Sequence, residues 1–221
     1  KKSPEMYTRL CDLKTQGGLS IARCIKGGID HTGHPMVKVA GLVAGDAECY
    51  DCFREIFDPV VSGMHPTRSQ DDVAQPLDVD ISKLSDEPLD PSGKCVTSVQ
   101  VQMGRNLSDM PFPIALSHEQ RREVELTISG ALMKLQAELQ GDYLPLRGSK
   151  SFPGRPRGMT AAEEAQLKAE EVLFGTPESV MLVSAGLGRD WPDARGIFAA
   201  RHRQFFAWIN QEDHLRLLST R

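Results

Sequence analysis

Residues 189–197 read Arg-Asp-Trp-Pro-Asp-Ala-Arg-Gly-Ile, and residues 208–216 read Trp-Ile-Asn-Gln-Glu-Asp-His-Leu-Arg. The second stretch decides the local architecture. Residues 204–210 and 215–219 are strand-like runs separated only by Gln211-Glu-Asp-His214. Two such runs joined by a short polar connection fold back on each other, so the sequence predicts an antiparallel hairpin with Glu212 at its tip. Upstream, residues 180–185 form a short apolar run that reads as a buried strand, and residues 95–103 alternate around Val99 and Val101 as a strand does.

Two helices interrupt these strands. Ser117-His-Glu-Gln120 is a capping box and opens a helix with Val124, Ile128, Leu132, Leu135 and Leu139 on one face, ahead of Gly141. Thr160-Ala-Ala-Glu163 is a second box, opening a helix to about Val172. Strands and helices interleaved around an antiparallel hairpin give residues 95–221 an α+β fold. The start of the chain differs. Met6, Leu10 and Leu13 predict a helix over residues 4–14, stopped by Gly17-Gly18. Ser20 caps a second through Ile21 and Ile25, ended by Gly27-Gly28. Asp46 caps a third, with Phe53, Ile56 and Phe57 facing inward and Pro59 at its exit. Residues 1–64 therefore read as a small all-helical domain. Between the two domains, residues 65–94 replace periodic apolar positions with Pro66, Pro76, Pro88, Pro91 and many aspartates, the composition of an extended linker. There are no internal repeats.

A chain of 221 residues is enough for one large or two modest domains. The net charge of -4 gives no general affinity for nucleic acid or an acidic membrane, and no apolar run approaches the ~20 residues of a membrane span. There is no signal-peptide pattern, and a first residue of Lys1 implies a missing or processed N-terminus. Five cysteines, an odd number, point to reduced thiols in a reducing compartment. Cys49 and Cys52 have CxxC spacing, but no second pair exists, and their place beside Phe53, Ile56 and Phe57 reads as core. His31 and His34 have no carboxylate or thiol partners in sequence, so no metal site is expected.

The Asp190-Trp-Pro-Asp-Ala-Arg195 wording resembles the phosphagen kinases, and within them the creatine kinase branch. His31-Thr-Gly-His-Pro35, Val43-Ala-Gly-Asp46, Phe57-Asp-Pro-Val60, Gln120-Arg-Arg-Glu-Val124 and Tyr143-Leu-Pro-Leu146 carry the same resemblance across nearly the whole chain. It implies a small helical N-domain and a larger C-domain of antiparallel sheet flanked by helices. It also implies a site for phosphoryl transfer between Mg-ATP and a guanidino group: a cage of arginines, a carboxylate that orients the guanidinium, and a reactive Cys. Such a reaction needs alignment of two substrates and positive charge around the moving phosphate.

At several of the implied positions this chain departs. Creatine kinases carry Ser-Ser-Arg-Val-Arg-x-Gly-Arg where residues 98–105 read Ser-Val-Gln-Val-Gln-Met-Gly-Arg, so Gln100 and Gln102 stand in place of two arginines beside Ser98. Glutamine carries no charge and cannot make the bidentate fork. At about 1.5–3 kcal/mol per charged hydrogen bond, losing both weakens nucleotide binding by about two to four orders of magnitude. Ala199 replaces a nucleotide-contacting His, whereas Arg216 matches a nucleotide-contacting arginine and Glu212 the substrate-orienting carboxylate. Arg201 and Arg203 read as a solvated basic turn. The loop implied to select the guanidino substrate includes His34, Val37 and Ala40, and Met36, Val37 and Ala40 leave space beside a creatine methyl.

The expectation is a catalytically degenerate creatine-kinase-like protein serving as a structural or binding module, with no cofactor. The rival is a divergent guanidino kinase using Mg-ATP. The family's C-domain continues beyond the hairpin, so a protein partner or the missing C-terminal half is expected to cover the sheet edge. Residues 147–157, an apparent insertion carrying Arg147, Lys150, Arg155 and Arg157, offer a grip for an acidic protein surface. The resemblance implies a cytoplasmic setting, with a ciliary or cytoskeletal assembly as the host and a mitochondrial one left open.

Overall fold

The structure, a computed structural model, describes residues 4–31, 33, 36, 39–65 and 80–221. Its centre is the predicted hairpin, β4 (Phe205–Ile209) and β5 (Leu215–Thr220). These strands sit within a five-stranded antiparallel sheet that also contains β1 (Gln100–Arg105), β2 (Gly141–Pro145) and β3 (Gly196–Ala200), in the order β1-β5-β4-β3-β2. Side chains directly opposite each other in an antiparallel ladder share a face. The pairs Asp142↔Ala199, Ala199↔Phe206, Phe206↔Leu218 and Leu218↔Gln102 therefore form one row across one face. Leu144, Ile197, Trp208, Arg216 and Gly104 form the next row on that face.

Each face has its own helical cover. On the face just described, α6 (Ala161–Ala169) brings Leu167, and the segment after it brings Val172 and Phe174, onto Leu144, Ile197, Ala199, Phe206 and Leu218. On the opposite face, α5 (His118–Leu132) packs Val124, Ile128 and Leu132 against Tyr143, Phe198, Ala207 and Ile209. Both helices start with the reciprocal capping boxes predicted from Ser117 and Thr160. The α5 helix ends earlier than its apolar spacing suggests: Leu135 still packs on the core, but Leu139 is exposed in a short 3-10 turn.

The first domain comprises α1 (Pro4–Leu10), α2 (Ile21–Asp30), α3 (Cys49–Cys52) and α4 (Arg54–Met64), around Leu10, Ile21, Cys24, Cys49, Phe53 and Phe57. Several expectations fail in detail. The first helix stops at Leu10, leaving Leu13 exposed. Pro59 lies inside α4 instead of ending it. Residues 180–185 are a helix, α7 (Val180–Ala185), closed by Gly186 in the left-handed conformation at φ 101. A six-residue apolar run does not distinguish strand from helix by period, and here only Ala185 is fully buried while Val180 and Val183 stay exposed.

Gly27-Gly28, expected to end α2, lie inside it, because that helix must come close to two neighbours. A Cβ on Gly27 would stand 2.9 Å from the carbonyl oxygen of Met181 on α7, and one on Gly28 would stand 2.2 Å from the carbonyl oxygen of Gly41. The glycines admit backbone rather than release the helix. Ser20 precedes α2 without a side-chain cap, and α3 has Glu48 rather than Asp46 at its N-cap, although the Asp46 carboxylate accepts from the Cys49 amide at 2.9 Å. Of the expected linker, residues 66–79 lie outside the described residues, and residues 80–94 form exposed turns in which Asp80 and Asp90 accept from the Ser82 and Ser92 amides.

Gly28→Ala therefore destabilises by about 1–3 kcal/mol or more, the cost of forcing atoms into occupied space. Gly130→Ala, in the last turn of α5 with nothing within 4 Å of its added methyl, stabilises by about 0.5–1 kcal/mol. Urea unfolding of the two variants gives both signs, and equal effects would show that the α2 glycines are not close-approach positions.

Candidate functional site

The most distinctive stretch of sequence is buried frame. The Arg195 side chain, 1% exposed, donates to four carbonyl oxygens: Asn210 at 3.0 Å, Leu187 at 2.8 Å, Arg189 at 3.0 Å and Asp193 at 3.2 Å. Its guanidinium also lies over the Trp191 ring, 4.9 Å from the centroid. Burial, and then the charge of Arg121, draw its pKa down to about 9, so it stays protonated at neutral pH. Asn210 answers from the hairpin, donating to the Arg121 and Ala194 carbonyls. Asp190 takes the buried Arg121 guanidinium at 2.5 Å. Asp193 accepts from Arg122, His118 and the Lys150 amide. Burial opposes its ionisation, and those three bonds overcome it and hold its pKa at about 2. The motif thus joins α5, β3 and the hairpin, and its charges are spent on α5 side chains and on backbone groups.

The residues nominated for chemistry gather on one sheet face but spread across it. Gln100 and Gln102 are exposed on β1, the outermost strand, and the Gln102 amide donates to the Gln100 carbonyl oxygen at 2.7 Å. Ser98 is exposed just before this strand. Arg216 stands one strand in, donating to Asp213 at 2.9 Å and Glu212 at 3.1 Å, and its pKa is raised by those partners against the effect of burial. Glu212 is exposed at the hairpin tip as expected. Ala199 shares a row with Gln102 but lies three strands away, about 14 Å at the usual strand spacing, buried under the α6 cover. Of the substrate-loop positions, Ala40 is exposed, while His34 and Val37 lie outside the described residues.

Two residues missed by sequence reasoning organise this end of the sheet. The Asp213 carboxylate sits where a Gly104 side chain would project, since a Cβ there would be 2.4 Å from its oxygen. Glycine on β1 is what lets Asp213 reach Arg216. His214 is fully buried, with Nδ1 accepting from the Leu107 amide at 3.0 Å and Nε2 donating to the Pro111 carbonyl at 2.9 Å. Burial lowers its pKa, so a neutral imidazole pins the exit of β1 to the hairpin. The sequence signal was present as adjacent Asp213-His214, but without register it read only as part of a short polar connection.

At the other side of the sheet a cleft of about 260 Å³ opens between β2, β3 and α6, with Asp142, Arg155, Glu163, Ala199, Arg201 and Arg203 on its walls. The expected solvated basic turn needs correcting here: Arg203 is half-buried, paired with Glu170 and lying 5.3 Å from the Phe206 ring centroid. Two of the four cations of residues 147–157 are also engaged internally, Arg147 with Glu164 and Arg155 with Glu163. Among the described residues, no group of three or more His, Cys, Asp or Glu side chains is arranged to hold a metal ion, and no helix is long and apolar enough to cross a membrane.

Comparison with known proteins gives a consistent result. The family profile described as "ATP:guanido phosphotransferase, N-terminal domain" matches residues 1–62, and "ATP:guanido phosphotransferase, C-terminal catalytic domain" matches residues 123–221. The chain is 38% identical to the flagellar creatine kinase of Strongylocentrotus purpuratus, over 97% of this chain and 17% of the relative. It is 38% identical to the lombricine kinase of Eisenia fetida, over 97% of this chain and 54% of the relative, and 38% identical to the M-type creatine kinase of Gallus gallus, over 98% and 54%. Among solved structures, a lombricine kinase superposes with a TM-score of 0.86 at 36% identity, covering 98% of this chain and 55% of that one. The substrate-free duplicated taurocyamine kinase from Schistosoma mansoni does so with a TM-score of 0.82 at 30% identity, covering 99% and 29%. The chain spans about half the length, or less, of these relatives.

The Asp193 hub has a pH signature. Its folded pKa of about 2 lies below the unfolded value near ~3.9, so its stabilisation is complete above about pH 4 and is lost as the pH falls toward 2. Asp193→Asn lowers stability at pH 7 by about 3 kcal/mol, the scale of one or two charged hydrogen bonds. The gap in Tm between wild type and variant narrows between pH 4 and pH 2. A gap that stays constant through that window would remove Asp193 from its role as an ionised hub.

Proposed function

This chain belongs to the ATP:guanido phosphotransferase family, and we propose that it is a catalytically degenerate member, kept as a folded structural or binding module of a larger assembly. The observation that carries this reading is the Gln102–Gln100 hydrogen bond at 2.7 Å. At positions where the resemblance to creatine kinases sets two arginines, two neutral amides satisfy each other. A triphosphate is held by charge-assisted bonds and bidentate guanidinium forks, which amides do not supply. Arg216, the cation beside them on that face, is engaged by Asp213 and Glu212, and Ala199 has no ring to set against a nucleotide. The described residues on this face are a poor fit to Mg-ATP, and the module reading needs no cofactor.

A second reading is favoured by Glu212. Its exposed carboxylate at the hairpin tip, four residues from Arg216, stands where the resemblance sets the group that orients a guanidinium. On that reading the protein is a divergent kinase moving phosphate between Mg-ATP and creatine or a related guanidino compound, in keeping with its 38% identity to creatine and lombricine kinases. For the module reading, the surface offered to a partner is β1, an outer strand whose Val101 is 60% exposed. Either a partner protein or further chain of the same fold would cover it. Lys150 and Arg157, exposed on the 147–157 loop, are the cations left for an acidic protein surface. A flagellar or cytoskeletal host in the cytoplasm is the setting we favour, supported by the similarity to a flagellar creatine kinase.

Calorimetry with Mg-ATP separates the two. The module reading expects no saturable binding at micromolar concentrations, an affinity lower than an ordinary kinase's by about two to four orders of magnitude. The double variant Gln100→Arg, Gln102→Arg binds more tightly with the fold unchanged by circular dichroism. An unmodified protein that binds Mg-ATP like an ordinary kinase, or transfers phosphate to creatine in a coupled assay, would overturn the module reading in favour of the enzyme.

A further inference from the structure

Inside the helical domain, Cys24 on α2 and Cys49 on α3 meet with their sulfurs 3.8 Å apart. They are 1% and 0% exposed and are walled in by Leu10, Ile21, Ala44, Phe53 and Phe57. The Cys24 thiol donates to the Cys49 sulfur. That bond, ahead of burial, raises the pKa of Cys24, and it lowers that of Cys49 against the opposing effect of burial. A disulfide needs a separation of about 2.05 Å, so the pair must close by less than about 2 Å, within reach of small rotamer and backbone shifts. Cys52, three residues along α3, is half-buried and offers a competing partner to Cys49.

We propose that Cys24 and Cys49 form an oxidation site, which a hydroperoxide converts to a disulfide tying α2 to α3. The Cys49 thiolate attacks a peroxide oxygen, the O–O bond breaks, and Cys49 becomes a sulfenic acid. The departing alkoxide or hydroxide takes up the proton that Cys49 gave up and leaves as alcohol or water. The Cys24 sulfur then attacks the sulfenic sulfur. The S–S bond forms, the S–O bond breaks, and hydroxide leaves with the Cys24 proton as water. Two electrons pass from the two thiols to the peroxide. Burial makes entry the slow step, so the pair reacts when α3 lifts from α2, more slowly than exposed Cys95. The position has a reach beyond the domain core. The Cys24 carbonyl accepts from the Val43 amide at 3.0 Å, and α2 ends at Asp30, so the helix that would be fixed carries both ends of the connection between residues 31 and 42.

Treating the full chain with hydrogen peroxide, alkylating the remaining thiols after unfolding, and mapping unreduced peptides tests this in the unmodified protein. The expected result is a loss of about 2 Da and a Cys24–Cys49 linked peptide, formed faster in low urea. Cys52→Ser keeps the linkage, and Cys24→Ser and Cys49→Ser each abolish it. Linkage mapping to Cys49–Cys52 would overturn the proposal. So would recovery of both Cys24 and Cys49 as alkylated thiols after prolonged peroxide treatment in low urea, continued well past complete oxidation of Cys95. Neither outcome bears on nucleotide binding, so this inference and the module reading stand or fall separately.

Discussion

The Arg195 guanidinium, buried and held by four backbone carbonyls, is the interaction on which the rest of the sheet domain depends. A charge taken out of water is costly unless its hydrogens are satisfied, and breaking such an arrangement costs on the order of 3–5 kcal/mol. Only a planar fork with donors in fixed directions reaches Leu187, Arg189, Asp193 and Asn210 together, so lysine is no substitute. Because Asn210 directly follows β4 and Arg195 directly precedes β3, this one side chain sets the hairpin against its neighbouring strand. Asp190 and Asp193 then fasten α5 through Arg121, Arg122 and His118. The residues that identify the fold to a reader of the sequence are those that hold it.

From that frame the openness of one end of the sheet follows. The α6 cover and the segment through Phe174 shield β2, β3 and β4 on one face, and Trp208 is locked there by its indole bond to the Val172 carbonyl at 2.9 Å. The cover stops short of β1. Gln100 and Gln102 therefore face solvent, although Leu218, one strand in, is fully buried. Gly104 gives up its own side-chain space to Asp213, and His214 ties the end of β1 to the hairpin. The open end is thus built with care for position while carrying little unpaired charge.

How much of this could be read beforehand depended on how local the signal was. The capping boxes at Ser117 and Thr160 and the hairpin around Glu212 were legible because each is a short-range pattern with its own geometry. Gly27 and Gly28 were misread because their reason lies in Met181 and Gly41, distant in sequence. The strand predicted at 180–185 failed because a short apolar run carries no decisive period. For the site, residue types were legible and placement was not. Nothing in the sequence says that Ala199 and Gln102 share a row at opposite sides of the sheet, or that Arg203 turns to Glu170.

The frame of the fold is independent of positions 100 and 102, which is what the degenerate reading proposed above requires. The Arg195 clamp, the Asp193 hub and the His214 pin make no use of positions 100 and 102, and exposed substitutions away from such features usually change stability by about 0.5 kcal/mol or less. Arginines at those positions, one strand from Arg216, would crowd like charges on one face in the absence of a polyanion to bind. Sites shaped for a ligand commonly carry such a cost in the empty protein. Glutamines relieve it, and with Arg216 already neutralised by Asp213 and Glu212 the face becomes self-contained. If the module reading proposed above holds, this is the surface that selection on stability alone would favour.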